Sequence, residues 1–351
     1  MALFFILPSK CRRVMRTMPL SWKAMILLFC AFALWTSPLL AGLNIWTTGG
    51  PYGSTITCLA IDPSAPSSLF AGAWNDGVFK TTNGGATWFN IGLEDLGVGA
   101  IVIDPSTPSI AYAGTWYGLF KTADGGANWN QTNNGLYTWP VIVLTIDSSA
   151  PSTVIAGTWG GGIFKTSNGG GSWIAENVGL PNFNILALAI DPSTSLALYA
   201  CPLKNGVFKS TDGGRTWYAS NIGLPDVTTV LTLAIDSSAP STVFAGTEDN
   251  GVYLTIDGGE TWNAAGLAGL RVAALIIDPS APSIIYAATD CGVFKTINGG
   301  KTWSIVINGL SSFDIYSLAV NAFAPSTVYA GTKDGVWSIT LTSHDRPVGR
   351  P

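Results

Sequence analysis

Histidine is almost missing from this chain of 351 residues; its one copy is His344, near the C-terminus. That excludes catalytic triads built on histidine and metal sites ligated by it. Arginine is scarce too: after residue 42 only Arg215, Arg271, Arg346 and Arg350 remain. Charged residues of both signs make up 11% of the chain, and no basic cluster follows Lys23. Those absences argue against nucleic-acid binding and against electrostatic attachment to anionic lipid. The chain has 5 cysteines. Cys58, Cys201 and Cys291 are scattered without metal-ligand spacing, which predicts buried small hydrophobes rather than disulfides. No apolar run reaches the ~20 residues of a spanning helix.

What the chain has instead is repetition. The segment Thr81-Thr82-Asn83-Gly84-Gly85-Ala86-Thr87-Trp88 recurs in variants ending at Trp129, Trp173, Trp217, Trp262 and Trp303, at spacings of 41, 44, 44, 45 and 41 residues. A second anchor, Ile-Asp-Pro-Ser or a close variant, places Asp62, Asp104, Asp147, Asp191, Asp236 and Asp278. A seventh, degenerate copy has Asn321. A period of ~43 residues rich in β-branched and aromatic residues predicts an all-β propeller. Each repeat reads as four short antiparallel strands; in the first these are Thr57–Ile61, Ser68–Ala73, Val78–Thr82 and Ala86–Asn90.

The two ends set the blade count. Trp46 precedes Asp62 by the same 16 residues that separate Trp88 from Asp104. Trp46 therefore belongs to an outermost strand whose three partners are missing upstream. Leu318–Val320, Val328–Gly331 and Val336–Ile339 match three inner strands with no Gly-Gly-x-Thr-Trp after them. The spacing predicts a single seven-bladed propeller over residues 43–341. Its last blade is closed by the N-terminal strand Asn44–Thr48, which leaves no open sheet edge.

Residues 1–42 differ in kind. Lys10, Arg12, Arg13, Arg16 and Lys23 precede the apolar run Ala24–Trp35, followed by Pro38 and Ala41-Gly42. This reads as a signal peptide or, alternatively, an uncleaved membrane anchor over residues 24–40. A start at Met15 or Met18 would give a conventional leader length. Either way the ring is placed outside the cytoplasm: secreted, periplasmic or at the cell surface. The remainder carries 12 Lys+Arg against 21 Asp+Glu, about −9. Residues 342–351 are expected to form a disordered tail.

The repeated turns read as structural. Asn83, Asn168 and Asn298 alternate with Asp124, Asp212 and Asp257. A catalytic or metal-binding carboxylate is not exchanged freely for an amide, whereas either side chain can bond a turn backbone. Trp88, Trp129, Trp173, Trp217, Trp262 and Trp303 are expected to wedge between blades. Lys80, Lys121, Lys165, Lys209 and Lys295 recur at one strand position and are expected to be solvated or snorkelling. The Asp of Ile-Asp-Pro-Ser is expected to cap the turn between the first two strands.

Within each blade, the loops before the first strand and after the second share one face of a propeller. After the second strand, Trp74, Trp116 and Trp159 occupy one position in three consecutive blades, and Leu203, Glu248, Asp290 and Lys333 follow in the rest. Tyr117 and Trp139 stand beside the Trp arc; Tyr52, Glu94, Asp95, Tyr137, Phe183, Asp226, Arg271 and Asp314 occupy the neighbouring loops. Flat aromatic faces suit stacking on sugar rings, with carboxylates accepting from hydroxyls. The competing reading is that the indoles only fill gaps between blade tops. Trp74, Trp116, Trp159, Tyr117, Trp139, Glu248 and Asp290 are the candidate ligand-binding residues. Glu248, Asp249, Asp290 and Asp334 lie in no calcium-loop pattern and read as solvated acids. No cofactor is implied.

The turn sequence resembles the Asp-box, or BNR, repeat, Ser/Thr-x-Asp-x-Gly-x-Thr-Trp, in six copies across nearly all of the chain after the leader. That repeat occurs in sialidases, xyloglucan-hydrolase-type glycosidases, sortilin-type receptors and photosystem II assembly-factor-like propellers. The Gly-His…Trp-Asp signature of WD repeats is missing. The sialidase resemblance implies an arginine triad that this chain cannot supply. The xyloglucanase resemblance implies two carboxylates, ~5 to 9.5 Å apart, on two facing propellers; this chain has one ring. The assembly-factor resemblance implies a basic patch, from which this acidic chain departs. Three readings stand in order. The first is a non-enzymatic, monomeric binding propeller for a glycan or an extracytoplasmic protein. The second is a glycosidase using Glu94, Asp95, Glu248 or Asp290. The third is an assembly factor.

Overall fold

The computed structural model describes residues 44–321 and 327–341. The leader and the tail expected from sequence lie outside the described residues. Seven four-stranded antiparallel sheets make up the fold. Six are built in chain order; the first comprises Ile56–Ile61, Leu69–Ala73, Gly77–Thr81 and Phe89–Asn90. The seventh takes Ile315–Asn321, Thr327–Thr332 and Gly335–Thr340 from the C-terminal end and Thr47–Gly50 from the N-terminal end. The innermost strands neighbour one another around a closed circuit, the last packing on the first. The seven-bladed ring and its closure are thus as expected. The closing strand runs a few residues further along than the expected Asn44–Thr48.

The outermost strand of each of the first five blades is only two residues long, against five expected in blade 1. The Asn/Asp-Gly-Gly turn consumes the residues before it. In blade 1, Gly85 N–H donates to Thr81 Oγ1 at 3.1 Å and Thr87 N–H donates to Asn83 Oδ1 at 3.0 Å. These bonds tie the chain into a local knot until Trp88 has passed. Gly84 and Gly85 both have positive φ, 69° and 88°, which favours glycine there.

Seven apolar clusters occur among the described residues, one at each junction between blades. The second strand of every blade is buried along its full length or nearly so. Blades must approach closely there, and glycine permits it. A methyl group on Gly114 would lie 2.6 Å from Val141 Cγ1 of the next blade. Trp46, Trp173, Trp217 and Trp262 are buried, and the indole N–H donates across the junction: Trp217 to Glu176 O at 2.9 Å, Trp129 to Ile91 O at 3.1 Å, Trp46 to Val306 O at 2.9 Å.

Of the two expectations for the lysines, the snorkelling one describes them, with a specific acceptor added. Lys80, Lys121, Lys165 and Lys209 donate from Nζ to Gly125, Gly169, Gly213 and Gly258 O at 2.7–2.8 Å, each in the turn of the following blade. On the way Lys80, Lys121 and Lys209 cross the rings of Phe70, Tyr112 and Tyr199. They are partly solvated clasps between blades. Lys295 lies over Tyr286 and is buried.

The cysteines divide. Cys58 and Cys201 are free thiols, and burial pushes the Cys58 thiol up to about 12 and the Cys201 thiol well up. Cys291, by contrast, takes part in a disulfide, which the scatter of cysteines did not lead us to expect.

Candidate ligand-binding face

The first-strand entry loops and the loops after the second strand do share one face, and hydrogen bonds join them in every blade. Trp74 N–H donates to Thr55 O, Trp116 to Leu96 O, Trp159 to Pro140 O and Leu203 to Asn184 O. Glu248 donates to Thr229 O, Asp290 to Arg271 O and Lys333 to Asp314 O in the same way. The seven positions aligned from sequence are therefore equivalent in space, one per blade. Trp74, Trp116 and Trp159 form one arc, while Glu248 and Asp290 lie on blades 5 and 6 across the ring from its centre. The candidate set is thus split: five aromatics on one arc and two acids away from it.

Within the arc the geometry is uneven. Trp74 and Trp116 meet edge to face, with centroids 5.3 Å apart and planes at 75°. Trp74 is 47% exposed, whereas Trp116 is half-buried against Gly97. Tyr117 projects beside it and is exposed. Trp159 is 42% exposed, and Tyr52, Tyr137 and Phe183 extend the exposed aromatic surface from blade 1 to blade 4.

Trp139 has the most developed setting. Its indole lies on the backbone of Gly160-Gly161. A methyl on Gly160 would sit 2.9 Å from Cζ3, and one on Gly161 would sit 2.6 Å from Cδ1. That backbone is held rigidly. Gly160 and Gly162 N–H both donate to Phe183 O, at 3.1 and 2.9 Å. Gly161 N–H donates to Thr158 Oγ1 at 3.0 Å, and Thr158 Oγ1–H donates to Gly162 O at 2.8 Å. One face of the indole is thus seated, and the side chain remains 40% exposed. It floors an open recess of about 620 Å³ with Tyr137, Thr138 and Pro140. The sequence reading named Trp139 but missed the glycine seat; the run Gly160-Gly161-Gly162, found in no other blade's equivalent loop, was the available signal.

Backbone strain gathers on this same face. Leu93, Asp95, Tyr137, Val227 and Leu267 have left-handed φ of 56–64° in the entry loops, and Lys204 has 63° in the loop after a second strand. A β-branched residue such as Val227 rarely adopts that conformation, and strain of this kind concentrates at ligand-binding sites. Among the described residues, no group of three or more His, Cys, Asp or Glu is arranged to hold a metal ion. No helix of the described residues is long and apolar enough to cross a membrane.

The carboxylates of the repeated turns are elsewhere and are fully engaged. Asp124 is held down at about 2 by the Asn128 side chain and backbone and by Thr122, and Asp212 at about 2 by the Thr216 side chain and backbone and by Ser210. In the Asn copies the amide donates where the carboxylate accepts: Asn83 Nδ2 donates to Thr87 Oγ1 at 2.9 Å, while Thr261 Oγ1 donates to Asp257 Oδ2 at 2.6 Å. The rotatable hydroxyl explains why either residue serves. Asp62 Oδ1 accepts from Ser64 N–H, Ser64 Oγ and Ala65 N–H, the capping role expected of the Ile-Asp-Pro-Ser anchor.

No family model matches this sequence, and no curated protein does. Solved structures do resemble it. A GH74 xyloglucanase from Xanthomonas campestris matches with a TM-score of 0.68 at 16% identity, over 86% of this chain and 55% of that one. YCF48 from Cyanidioschyzon merolae matches at 0.66 and 16% identity, over 85% of this chain and 98% of that one. The extracellular domain of a one-component system from B. thetaiotaomicron matches at 0.68 and 16% identity, over 86% of this chain and 40% of that one. This chain spans about half the length of the GH74 enzymes it matches. At these identities the likeness is one of fold: the chain is a seven-bladed β-propeller similar in architecture to propellers of GH74 enzymes, to YCF48 and to the extracellular domain of a one-component system.

Proposed function

We propose that this chain is an extracytoplasmic binding propeller that recognises a glycan, without turnover, through the aromatic arc of blades 1 to 3. The observation that carries the reading is the convergence of three exposed indoles on one face, Trp74 on blade 1 and Trp139 and Trp159 on blade 3, with the half-buried Trp116 between them on blade 2. Exposed indoles are costly to solvate and suit the apolar faces of sugar rings. The strained entry loops support the same face. Glycoside cleavage would require two carboxylates flanking one bond; Glu248 and Asp290 stand apart from the arc, and the acids beside it, Glu94 and Asp95, are neighbours in a single loop rather than a facing pair.

The experiment is a glycan array probed with the full-length protein and with a Trp116→Ala/Trp159→Ala double variant. Selective binding that the double variant loses is expected. Bound glycans are then incubated with the protein and assayed for new reducing ends, and none should appear. A second reading has its own support. YCF48 is nearly fully spanned by this chain, and a YCF48 structure with a bound D1 peptide matches at a TM-score of 0.65. A protein segment on the same face is that alternative, and it is the reading left standing if no glycan binds.

A further inference from the structure

We infer that the shelf formed by Trp139 on Gly160-Gly161 is the principal subsite of this face, and that it takes an uncharged sugar ring of a neutral glycan. The inference rests on the glycan reading above and adds a place and a ligand class to it.

The place follows from the seat. A stacking platform is effective when its ring is already held in the bound orientation, because no rotamer entropy is then lost on binding. Trp139 is held in this way. Gly160-Gly161 is in contact with one side of the indole, and four hydrogen bonds fix that glycine backbone from Phe183 and Thr158. Trp74 meets Trp116 edge to face and has no comparable glycine seat. The recess over the shelf is shallow and open, the form that suits one ring lying on a surface rather than an enclosed ligand. Its lining, Tyr137, Thr138, Trp139 and Pro140, offers a flat apolar floor beside hydroxyl groups, which matches the two sides of a pyranose.

The ligand class follows from charge. The loops of blades 1 to 3 on this face contain Asp76, Glu94 and Asp95, all exposed, and no lysine or arginine. Lys204 on blade 4 and Lys333 on blade 7 flank the arc without entering it. A uronate or sulfate placed on the arc would meet like charges and no counter-charge, whereas neutral hydroxyls can donate to those carboxylates.

The test uses the full-length protein with paired oligosaccharides of equal length, neutral against uronic-acid-containing or sulfated, read by isothermal titration and by quenching of Trp fluorescence. Three variants accompany it: Trp139→Ala, Trp139→Phe and Gly161→Ala. Gly161 lacks a positive φ, and an alanine Cβ there would crowd the indole, 2.6 Å from Cδ1, and the Thr158 hydroxyl that holds the seat, at 2.9 Å. Neutral ligands should bind at least about tenfold more tightly than acidic ones. Trp139→Ala and Gly161→Ala should each weaken binding by about tenfold, the scale of one aromatic contact, and Trp139→Phe should restore most of it. Equal or tighter binding of acidic glycans overturns the ligand class. Undiminished binding in Gly161→Ala and in Trp139→Ala, with the Trp116→Ala/Trp159→Ala variant still inactive, overturns the shelf but leaves the glycan function standing. Failure of the wild type to bind any glycan overturns both. Should Trp139→Ala not fold, Gly161→Ala and Trp139→Phe decide the matter alone.

Discussion

The indole of Trp74 meets that of Trp116 edge-on across the junction of blades 1 and 2, at 5.3 Å between centroids. Gly97 makes this possible: a methyl there would lie 2.3 Å from Trp116 Cδ1 and 2.8 Å from Trp74 O. The pair couples the mouth of one blade to the next, so its loss should be felt in both stability and ligand affinity. Trp74→Ala is expected to lower stability by about 1 kcal/mol, the value of an aromatic pair at a partly exposed site. Urea denaturation followed by far-UV circular dichroism measures it.

The lysine clasps predict a different kind of sensitivity. Lys121 Nζ donates to Gly169 O at 2.7 Å and lies 5.3 Å from the Tyr112 ring centroid. Lys121→Met keeps the apolar stem and removes the donor. It should cost about 1–2 kcal/mol, the range of a charge-assisted hydrogen bond that retains some contact with water. If the lysine were merely solvated, Lys121→Met would shift the urea midpoint by no more than an ordinary surface substitution.

The junction of blades 7 and 1 lacks two of the recurring bonds. Ser338 pairs with Tyr329 where Lys80 pairs with Phe70, so no lysine clasp forms there, as none forms in blade 5, where Leu254 pairs with Phe244. Trp88 Nε1 is buried without an acceptor, while Trp129 Nε1 donates to Ile91 O. Trp88→Phe should therefore cost less than Trp129→Phe, by about 1 kcal/mol, one net hydrogen bond. Amide hydrogen exchange should also open Thr47–Gly50 before the outer strands of the other blades. Equal costs for the two Trp substitutions would remove the distinction between the junctions.

Acid should weaken the ring through particular turns. Asp124 and Asp212 are lowered from 3.8 to about 2 by hydrogen bonds, first from Asn128 and Thr216 respectively. Because the folded values lie below the unfolded one, their stabilisation is complete above about pH 4 and is lost as pH falls towards 2. Asp257 is lowered in the same sense, first by Thr255. Urea midpoints at pH 4.5, 3 and 2 should fall for the wild type. An Asp124→Asn/Asp212→Asn variant should show a shallower fall, since Asn83, Asn168 and Asn298 hold equivalent turns with an amide.

Much of this architecture could be read from local chemistry. Gly-Gly turns, the Ile-Asp-Pro-Ser caps and alternating β-formers are determined within ~10 residues, and their regular recurrence was enough to count seven blades. The unmatched Trp46 even showed that the ring closes between its two ends. What the repeat could not show was where each side chain goes once blades are pressed together. A lysine at one strand position looks solvated until the turn of the next blade, 48 residues on for Lys121, presents a carbonyl to it. Trp139 looks like any loop aromatic until Gly160-Gly161 comes beneath it from the same blade's next loop. Short-range hydrogen bonding and periodicity thus determined the blade and the ring from sequence alone. The clasps, the unpaired Trp88 indole N–H and the shelf depend on contacts between distant residues, and only the closed tertiary structure decided them.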